Sequence, residues 1–141
     1  MKAEIIATGE EIRTGALTDS NSAYIAAQLE EWGIEVVRHS CVGDDVAALV
    51  EVFRETGRRS DIAIVTGGLG PTPDDLTAEA AARASASELV LDDTALAGVK
   101  AFFKNRRRLF TESNCKQALL PRGAKVLQNP LGSAPGFVHV I

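Results

Sequence analysis

The sequence predicts an α/β sandwich built around a mostly parallel sheet. Short apolar runs alternate with segments of helical periodicity along the 141 residues, in the order β-α-β-α-β-α. Hydrophobic residues make up 45% and charged residues 24% of the chain. This composition is typical of a globular protein and argues against a disordered chain, a collagen or a coiled coil. The length fits one domain, which we assign to residues 1–141.

The chain begins with a strand and a helix. Apolar residues predict a strand over residues 3–8, with a polar loop after it. A helix begins near Asp19 or Ser20, because both residue types cap helix N-termini, and Gly33 ends it. The apolar face of this helix is predicted to consist of Ile25, Leu29 and Trp32.

A second strand and helix and a third strand follow. Residues 34–42 are rich in β-branched side chains, which favour a strand, and residues 43–45 form a turn. The next helix has an apolar stripe made of Val46, Leu49, Val50 and Phe53. Residues 61–66 are almost wholly apolar, which predicts a strand covered on both faces.

The second half of the chain opens with an irregular loop. Residues 67–75 contain three glycines and two prolines, which excludes a regular element. Helices are predicted over 76–84, 92–108 and 111–120, with Pro121 ending the last, and strands over 124–128 and 137–141. Because a charged carboxylate at the end of a buried strand is unfavourable, we expect the natural chain to continue past Ile141.

Charge and cysteine content narrow the possible partners. Lys and Arg number 15 against 19 Asp and Glu, so the net charge is -4, whereas nucleic-acid-binding domains are usually basic. The two cysteines, Cys41 and Cys115, form no paired motif. The N-terminus lacks a signal peptide, and no apolar run approaches the length of a membrane span. We therefore predict a cytoplasmic protein with reduced thiols that binds neither nucleic acid nor membrane.

The predicted ligand site lies at the carboxyl ends of the parallel strands, where α/β sheets bind ligands. Three loops fall there: residues 8–10, residues 42–45 and the long glycine loop after Thr66. Glycines let main-chain N–H groups approach a ligand closely, and a helix N-terminus follows the loop. This arrangement suits a phosphate or another anion, although the loop is neither a Walker A motif nor a GxGxxG fingerprint.

Acidic residues in two of these loops predict a divalent cation. Asp74 and Asp75 beside a phosphate would repel it unless a cation lay between them, and Mg²⁺ is commonly held by one or two carboxylates plus phosphates. Asp44 adds a third oxygen ligand or, with equal weight, forms a turn that caps the second helix. Capping of the following helix is the structural alternative for Asp74 and Asp75.

The segment Thr66–Thr77 resembles the signature of the CinA (competence/damage-inducible) proteins. Their N-terminal domain is of the molybdopterin-binding type found in MoaB, Mog and MoeA proteins. The resemblance covers essentially the whole chain, because other matching segments follow in the expected order. They are Thr8–Glu11, Asp19–Asn21, Arg38–His39 through Val42–Asp44, Asn114 with Lys116–Ala118, and Asn129–Gly136.

The resemblance implies a three-layer α/β/α sandwich and a ligand site lined by defined positions. Those positions are Gly67, Gly68, Gly70, Asp75, Thr77, Asp44, Gly132 and Ser133. For CinA-type domains the implied activity is metal-dependent hydrolysis of a nucleotide diphosphate, ADP-ribose being typical, to AMP and ribose phosphate. Ser133 stands where threonine is common in the family, and the chain ends before the family's Leu-Pro-Gly-x-Pro-x-Glu segment. The nicotinamide-nucleotide amidase domain of many CinA proteins is absent, so we assign no amidase activity.

The leading hypothesis is therefore a CinA-type pyrophosphatase that uses a divalent ion of the Mg, Co or Ni class. Asp75 and Asp44 are the predicted catalytic residues, and Asp74 and Asp75 the predicted metal ligands. The predicted ligand-binding residues are Thr8, Gly9, Glu10, Asn21, Thr66, Gly67, Gly68, Leu69, Gly70, Thr77, Gly132 and Ser133. One alternative is a non-catalytic module that binds molybdopterin or a nucleotide. Another is a scaffold that forms a homo-oligomer, which the family implies to be a dimer or trimer.

Overall fold

The structure, a computed structural model that describes residues 1–141, is built around a parallel three-stranded sheet in the order β2–β1–β3. Six helical segments and four short strands complete the chain. The strands are β1 (Lys2–Thr8), β2 (Glu35–Val42), β3 (Ile62–Thr66), β4 (Leu89–Leu91), β5 (Leu119–Pro121), β6 (Lys125–Leu127) and β7 (Gly136–Val138). The helices are α1 (Glu10–Arg13), α2 (Ser20–Glu31), α3 (Val46–Arg59), α4 (Thr77–Ala84), α5 (Asp93–Asn105) and a 3-10 helix (Glu112–Ala118).

Helices cover both faces of the sheet, so the three-layer α/β/α architecture is confirmed. β1 alternates its side chains between the two faces, as the period of a strand requires. Ile5 packs on one face against Leu29 of α2. Ile6 packs on the other face with Phe53 of α3 and Ala80 of α4. The central strand is thereby buried on both sides, from Ala3 to Thr8.

A smaller unit packs beside this sandwich. It contains α5, the 3-10 helix and two antiparallel strand pairs, β4–β5 and β6–β7. Its core consists of Ala95, Ala118 and Leu120. Phe137 packs against both this core and the core under α3 and α4, so it joins the two.

Aspartates cap three helices: the cap at Asp19 is confirmed, whereas α3 is capped by Asp45 and not by Asp44, the residue the sequence analysis considered. The side chain of Asp19 accepts a hydrogen bond from the Ser22 N–H, and α2 ends before Gly33, whose φ is 72°. Asp45 caps α3 in the same way, and Asp92 caps α5. Because a cap needs only neighbouring backbone groups, these helix starts are visible in the sequence.

Several sequence-based expectations about elements were wrong. The loop after β1 contains the single-turn helix α1. Trp32 is 72% exposed, because α2 ends at Glu31 and the backbone leaves the helix there. Strand β3 lies at a sheet edge, so it is only partly covered and Ala63 is exposed.

The region predicted as a helix over 111–120 divides into two elements. Its first part is the 3-10 helix, and Leu119–Pro121 is strand β5, paired antiparallel with β4. Strand β4 was missed, because three residues are too few for a periodic pattern to be recognised. The helix predicted over 92–108 ends at Asn105, and the last strand ends at Val138 rather than at residue 141.

A buried ion pair that the sequence analysis missed fixes α3 to the end of the sheet opposite the loops. Glu4 of β1 is 1% exposed. Its carboxylate accepts hydrogen bonds from Arg59 at 2.6 and 2.8 Å, from Ser60 at 2.6 Å and from Thr56 at 3.2 Å. The hydrogen bond from Arg59 is the largest influence and, despite burial, the pKa of Glu4 falls from 4.5 to about 2.

We expect Glu4→Gln to lower the free energy of unfolding at pH 7 by about 2 kcal/mol, since one partner of a buried pair is removed while Arg59 remains partly hydrated. The folded-state pKa of Glu4 lies below its unfolded value, so the wild-type contribution is complete above pH 4.5 and disappears as the pH falls towards 2. The difference between the two proteins should shrink over that interval. Urea unfolding at several pH values measures it.

Glu55→Gln is the matched control, because Glu55 pairs with the same arginine at 3.2 Å but is exposed. Its effect at pH 7 should stay below about 0.5 kcal/mol. Equal losses in the two variants would contradict the role assigned to Glu4.

Candidate functional site

The strand order β2–β1–β3 places a topological switch point between β1 and β3. The chain leaves β1 towards one side to form β2 and then crosses to the other side to form β3. In sheets of this type the loops diverge at the carboxyl ends of the strands that flank the switch point, and the crevice between those loops is where ligands bind. Thr8 and Thr66, the last residues of these strands, flank the crevice.

Buried threonines form the floor of the crevice. Thr77, the first residue of α4, donates its hydroxyl to the Gly67 carbonyl oxygen at 2.8 Å and its N–H to the Gly68 carbonyl oxygen at 3.1 Å. Thr8 Oγ1 lies 3.5 Å from Thr77 Oγ1 and 3.4 Å from the Thr66 carbonyl oxygen. With 6% and 4% exposure, Thr8 and Thr77 hold the glycine loop from below.

The direction of these carbonyl groups determines where the loop amides point. In a planar trans peptide the N–H is opposite to the C=O. Because the Gly67 and Gly68 carbonyls face Thr77, the N–H groups of Gly68 and Leu69 face away from it. Neither N–H donates a hydrogen bond within the protein. Two adjacent free donors with this orientation are typical of main-chain anion sites.

Glycine is required at two positions of the loop. Gly67 has a φ of 100° and Gly68 a φ of 69°, values that side chains rarely allow. A Cβ atom at Gly67 would lie 2.5 Å from the Thr8 carbonyl oxygen, and one at Gly68 would overlap Thr77 Oγ1. The loop can approach its floor this closely only without side chains.

Asp75 stabilises the far half of the glycine loop. Its Oδ2 accepts hydrogen bonds from the Thr72 N–H at 2.9 Å and the Thr72 hydroxyl at 2.6 Å. Burial opposes ionisation, but the hydrogen bonds from Thr72, the Gly70 backbone and the charge of Lys116 together lower the pKa of Asp75. Asp75 does not cap α4, which begins without a side-chain cap. Both hydrogen bonds from Thr72 end on Oδ2, so neither Thr72 donor occupies Oδ1.

The 3-10 helix connects the glycine loop with the loop that carries Ser133. Lys116 donates to the carbonyl oxygen of Thr72. The neighbouring Gln117 donates from Nε2 to Ser133 Oγ at 2.9 Å. Within the second loop, the Asn129 side chain accepts from the Gly132 N–H at 3.1 Å and donates to the Ala134 carbonyl. Gly132 and Ser133 are thus positioned from two sides.

The β2 side of the sheet carries an open groove of about 580 Å³. Asp45 caps α3 with hydrogen bonds of 2.8 and 3.0 Å, whereas the exposed Asp44 makes no hydrogen bond in the protein. Glu10 and Arg13, both on α1 at the edge of the groove, form an ion pair, and the hydrogen bond from Arg13 lowers the pKa of Glu10. The N–H of Gly9 donates to the Val42 carbonyl at 3.0 Å and ties the two loops together.

The carboxylates do not form a metal cluster of their own. No group of three or more His, Cys, Asp or Glu side chains lies close enough together to hold an ion. Asp44 follows β2 and Asp75 follows β3, on opposite sides of β1, and strands two places apart are separated by about 10 Å. A divalent ion fits this site only with oxygen ligands supplied in part by the phosphates of a ligand.

The predicted site residues therefore fall into three groups. One group lines the crevice or forms its floor: Thr8, Asn21, Thr66, Gly67, Gly68, Leu69, Gly70, Asp75 and Thr77. Asn21 belongs to it because its Nδ2 donates to Thr66 Oγ1 at 3.2 Å. Gly9, Glu10 and Asp44 lie towards the β2 groove, Gly132 and Ser133 lie across the 3-10 helix, and Asp74 is exposed.

Sequence reasoning assigned no role to Thr72, Lys116 or Gln117. Lys116 reaches Thr72 across 44 residues, and Gln117 reaches Ser133 across 16 residues. Their only signal in the sequence was their place in a family-like segment.

These features define a doubly wound α/β protein with unpaired main-chain N–H groups at its switch point. The family described as "Probable molybdopterin binding domain" matches residues 4–140, so the chain belongs to the molybdopterin-binding-domain family, in its CinA-like branch. A CinA-like protein from Desulfosudis oleivorans is 50% identical over 138 residues, which are 98% of this chain and 33% of that protein. The chain thus spans about a third of the length of the curated relatives it matches.

Solved structures agree with this assignment. The protein CinA from Thermoplasma acidophilum, described as of unknown function, superposes with a TM-score of 0.92 at 33% identity, covering 100% of this chain and 83% of that one. The tungsten cofactor synthesizing protein MoaB from Pyrococcus furiosus has a TM-score of 0.56 at 20% identity, with 92% and 74% coverage, and shows the fold alone. None of the helices combines the length and hydropathy that crossing a bilayer requires.

We expect Gly68→Ala to destabilise the protein by about 2 kcal/mol more than Gly15→Ala, because the new methyl group must displace Thr77. Gly15 is the matched control, since its φ is 77° but nothing lies within 4 Å of an added Cβ. Both variants share the backbone strain of about 1 kcal/mol. Urea unfolding measures the difference, and equal losses would show that the loop is not held against Thr77.

Proposed function

We propose that this protein hydrolyses a nucleotide diphosphate, with ADP-ribose as the representative substrate and AMP and ribose phosphate as products. The observation that supports the proposal is the pair of unpaired N–H groups of Gly68 and Leu69 at the switch point. Main-chain donors of this kind suit phosphate oxygens. Membership of the family is consistent with phosphate binding by these amides. The hydrolysis of the diphosphate is our inference.

Acidic residues on either side of the crevice complete the proposed site. Asp75 is ionised at neutral pH, and its lowered pKa favours the charged form. Its Oδ1 accepts no hydrogen bond from Thr72. Asp75, with Asp74 and the phosphate oxygens, would hold a divalent ion, which would supply charge to polarise a phosphoryl oxygen, whereas Asp44 lies too far across β1 to share that ion. Asp44, across β1, is placed to orient a water molecule or a second part of an extended ligand.

The remaining predicted residues position the ligand. The diphosphate lies over Gly67–Gly70, and the Ser133 loop closes the crevice from the side of the 3-10 helix. The groove near Glu10 and Arg13 offers room for one of the two sugar-linked ends, because it begins where β2 ends. The polar groups of the site extend across the ends of three strands. A dinucleotide-sized substrate can contact all of them, whereas a single phosphate cannot.

The first test is incubation of the protein with ADP-ribose and Mg²⁺, Co²⁺ or Ni²⁺, followed by chromatography of the products. We expect AMP and ribose phosphate in equal amounts with at least one of the ions. EDTA should stop the reaction, and added metal should restore it. Absence of AMP with all three ions, although ADP-ribose binds, would reject hydrolysis.

The second test is Asp75→Asn. The amide retains an oxygen that can accept from Thr72, so the fold should survive, but it lacks the charge that holds the ion. We expect the rate of AMP release to fall at least a hundredfold, which corresponds to about 3 kcal/mol of transition-state stabilisation. Asp93→Asn, in the first turn of α5 and outside the site, is the control and should retain the wild-type rate. Wild-type turnover in Asp75→Asn would exclude this residue from the site.

A non-catalytic binding module is the second candidate function. It is favoured by one observation, the lack of any cluster of three metal-ligating side chains. In this case the free amides would bind the phosphate of a pterin or nucleotide without breaking a bond. Thermal stabilisation by a panel of nucleotide diphosphates, in the absence of metal and of turnover, would support the module over the enzyme.

A further inference from the structure

Gln117 is a buried amide with half of its hydrogen-bonding capacity unused. The side chain is 5% exposed. Its Nε2 donates to Ser133 Oγ at 2.9 Å, while its Oε1 is buried and has no hydrogen-bond partner. An unsatisfied buried acceptor costs about 1–3 kcal/mol, so a side chain that served only to fill space would be apolar. We therefore attribute the presence of a buried amide at this position to its hydrogen bond with Ser133.

The contact determines which way the Ser133 hydroxyl points its proton. An amide nitrogen can only donate, so Ser133 Oγ accepts from Gln117. The Ser133 O–H donates to no atom of the protein. Its proton is therefore available to a group outside the chain, and an anionic oxygen accepts it best.

The position of this donor relates it to the glycine loop. Lys116, adjacent to Gln117, contacts the Thr72 carbonyl, and Thr72 is bound to Asp75. The 3-10 helix thus holds the glycine loop with one residue and the Ser133 loop with the next. This shared attachment is the reason to assign the Ser133 hydroxyl and the free amides of Gly68 and Leu69 to one ligand in the proposal that follows.

We propose that Gln117 is a positioning residue that fixes Ser133 as a hydrogen-bond donor towards an anionic oxygen of the ligand. This inference rests on the proposed function, because it takes the ligand to be a diphosphate. Gln117 itself does not contact the ligand, since its free oxygen has almost no accessible surface. Its effect on binding passes through Ser133 alone.

The decisive variant is Gln117→Glu, which keeps the size of the side chain and reverses the hydrogen bond. A carboxylate accepts the Ser133 proton, so the hydroxyl offers the ligand only lone pairs. We expect calorimetry with ADP-ribose and with inorganic pyrophosphate, each with Mg²⁺, to show binding about tenfold weaker. Ser133→Ala alone should cost a similar factor, and adding it to Gln117→Glu should cost less than twofold more.

This double-mutant cycle separates positioning from other effects. Simple repulsion by the new charge, or a purely structural role, would make the two losses multiply, and a multiplicative cycle overturns the proposal. Gln117→Met is the matched control, because it keeps the shape of the side chain but makes no hydrogen bond to the Ser133 hydroxyl. Adding Ser133→Ala to this variant should still weaken binding of the two probes. Ser133→Thr, which retains the hydroxyl, should bind within about twofold of wild type.

A ligand-free measurement covers the case in which Gln117→Glu fails to fold. The side-chain amide resonances of Gln117, identified by their absence in Gln117→Met, should shift in Ser133→Ala. Unchanged resonances would overturn the proposal, as would wild-type protein that binds neither probe. If the protein bound pyrophosphate but not ADP-ribose, the proposed substrate would be rejected and the role of Gln117 would remain supported.

Discussion

The two hydrogen bonds from Thr77 to the glycine loop are the interaction on which the candidate site depends. By drawing the carbonyls of Gly67 and Gly68 inward, Thr77 turns the following N–H groups outward. The same residue begins α4, so the loop and the helix are positioned together. An anion site made from main-chain groups needs no basic side chain, so the net charge of -4 does not oppose the proposed role of these amides.

Acidic side chains around these amides have distinct tasks. Asp45 caps α3, while Asp75 secures the Thr72 turn and retains one oxygen outside those contacts. Asp44 makes no hydrogen bond within the protein, and it lies across β1 from Asp75. The proposed divalent ion would therefore be shared with an extended ligand rather than enclosed by protein carboxylates.

Stability and function are assigned to opposite ends of the sheet. At the amino end of β1, the Glu4–Arg59 pair joins strand and helix through a carboxylate with four donors. At the carboxyl end, buried threonines replace charges, and the polar groups that remain free face the crevice. Because the ion pair stabilises the opposite end of the sheet, the loops can retain unpaired donors and an unsatisfied glutamine oxygen although these groups lower the stability of the protein.

The sequence by itself determined the central strands, the capped start of α2 at Asp19 and the irregular glycine loop, because each depends on residues only a few positions apart. Family-like segments also predicted the candidate site. Tertiary structure alone decided the pairing of β4 with β5, the exposure of Trp32, the partner of Asp75 and the Gln117–Ser133 contact. Strand pairing and long-range hydrogen bonds depend on how distant segments fold back, and no local pattern encodes that geometry.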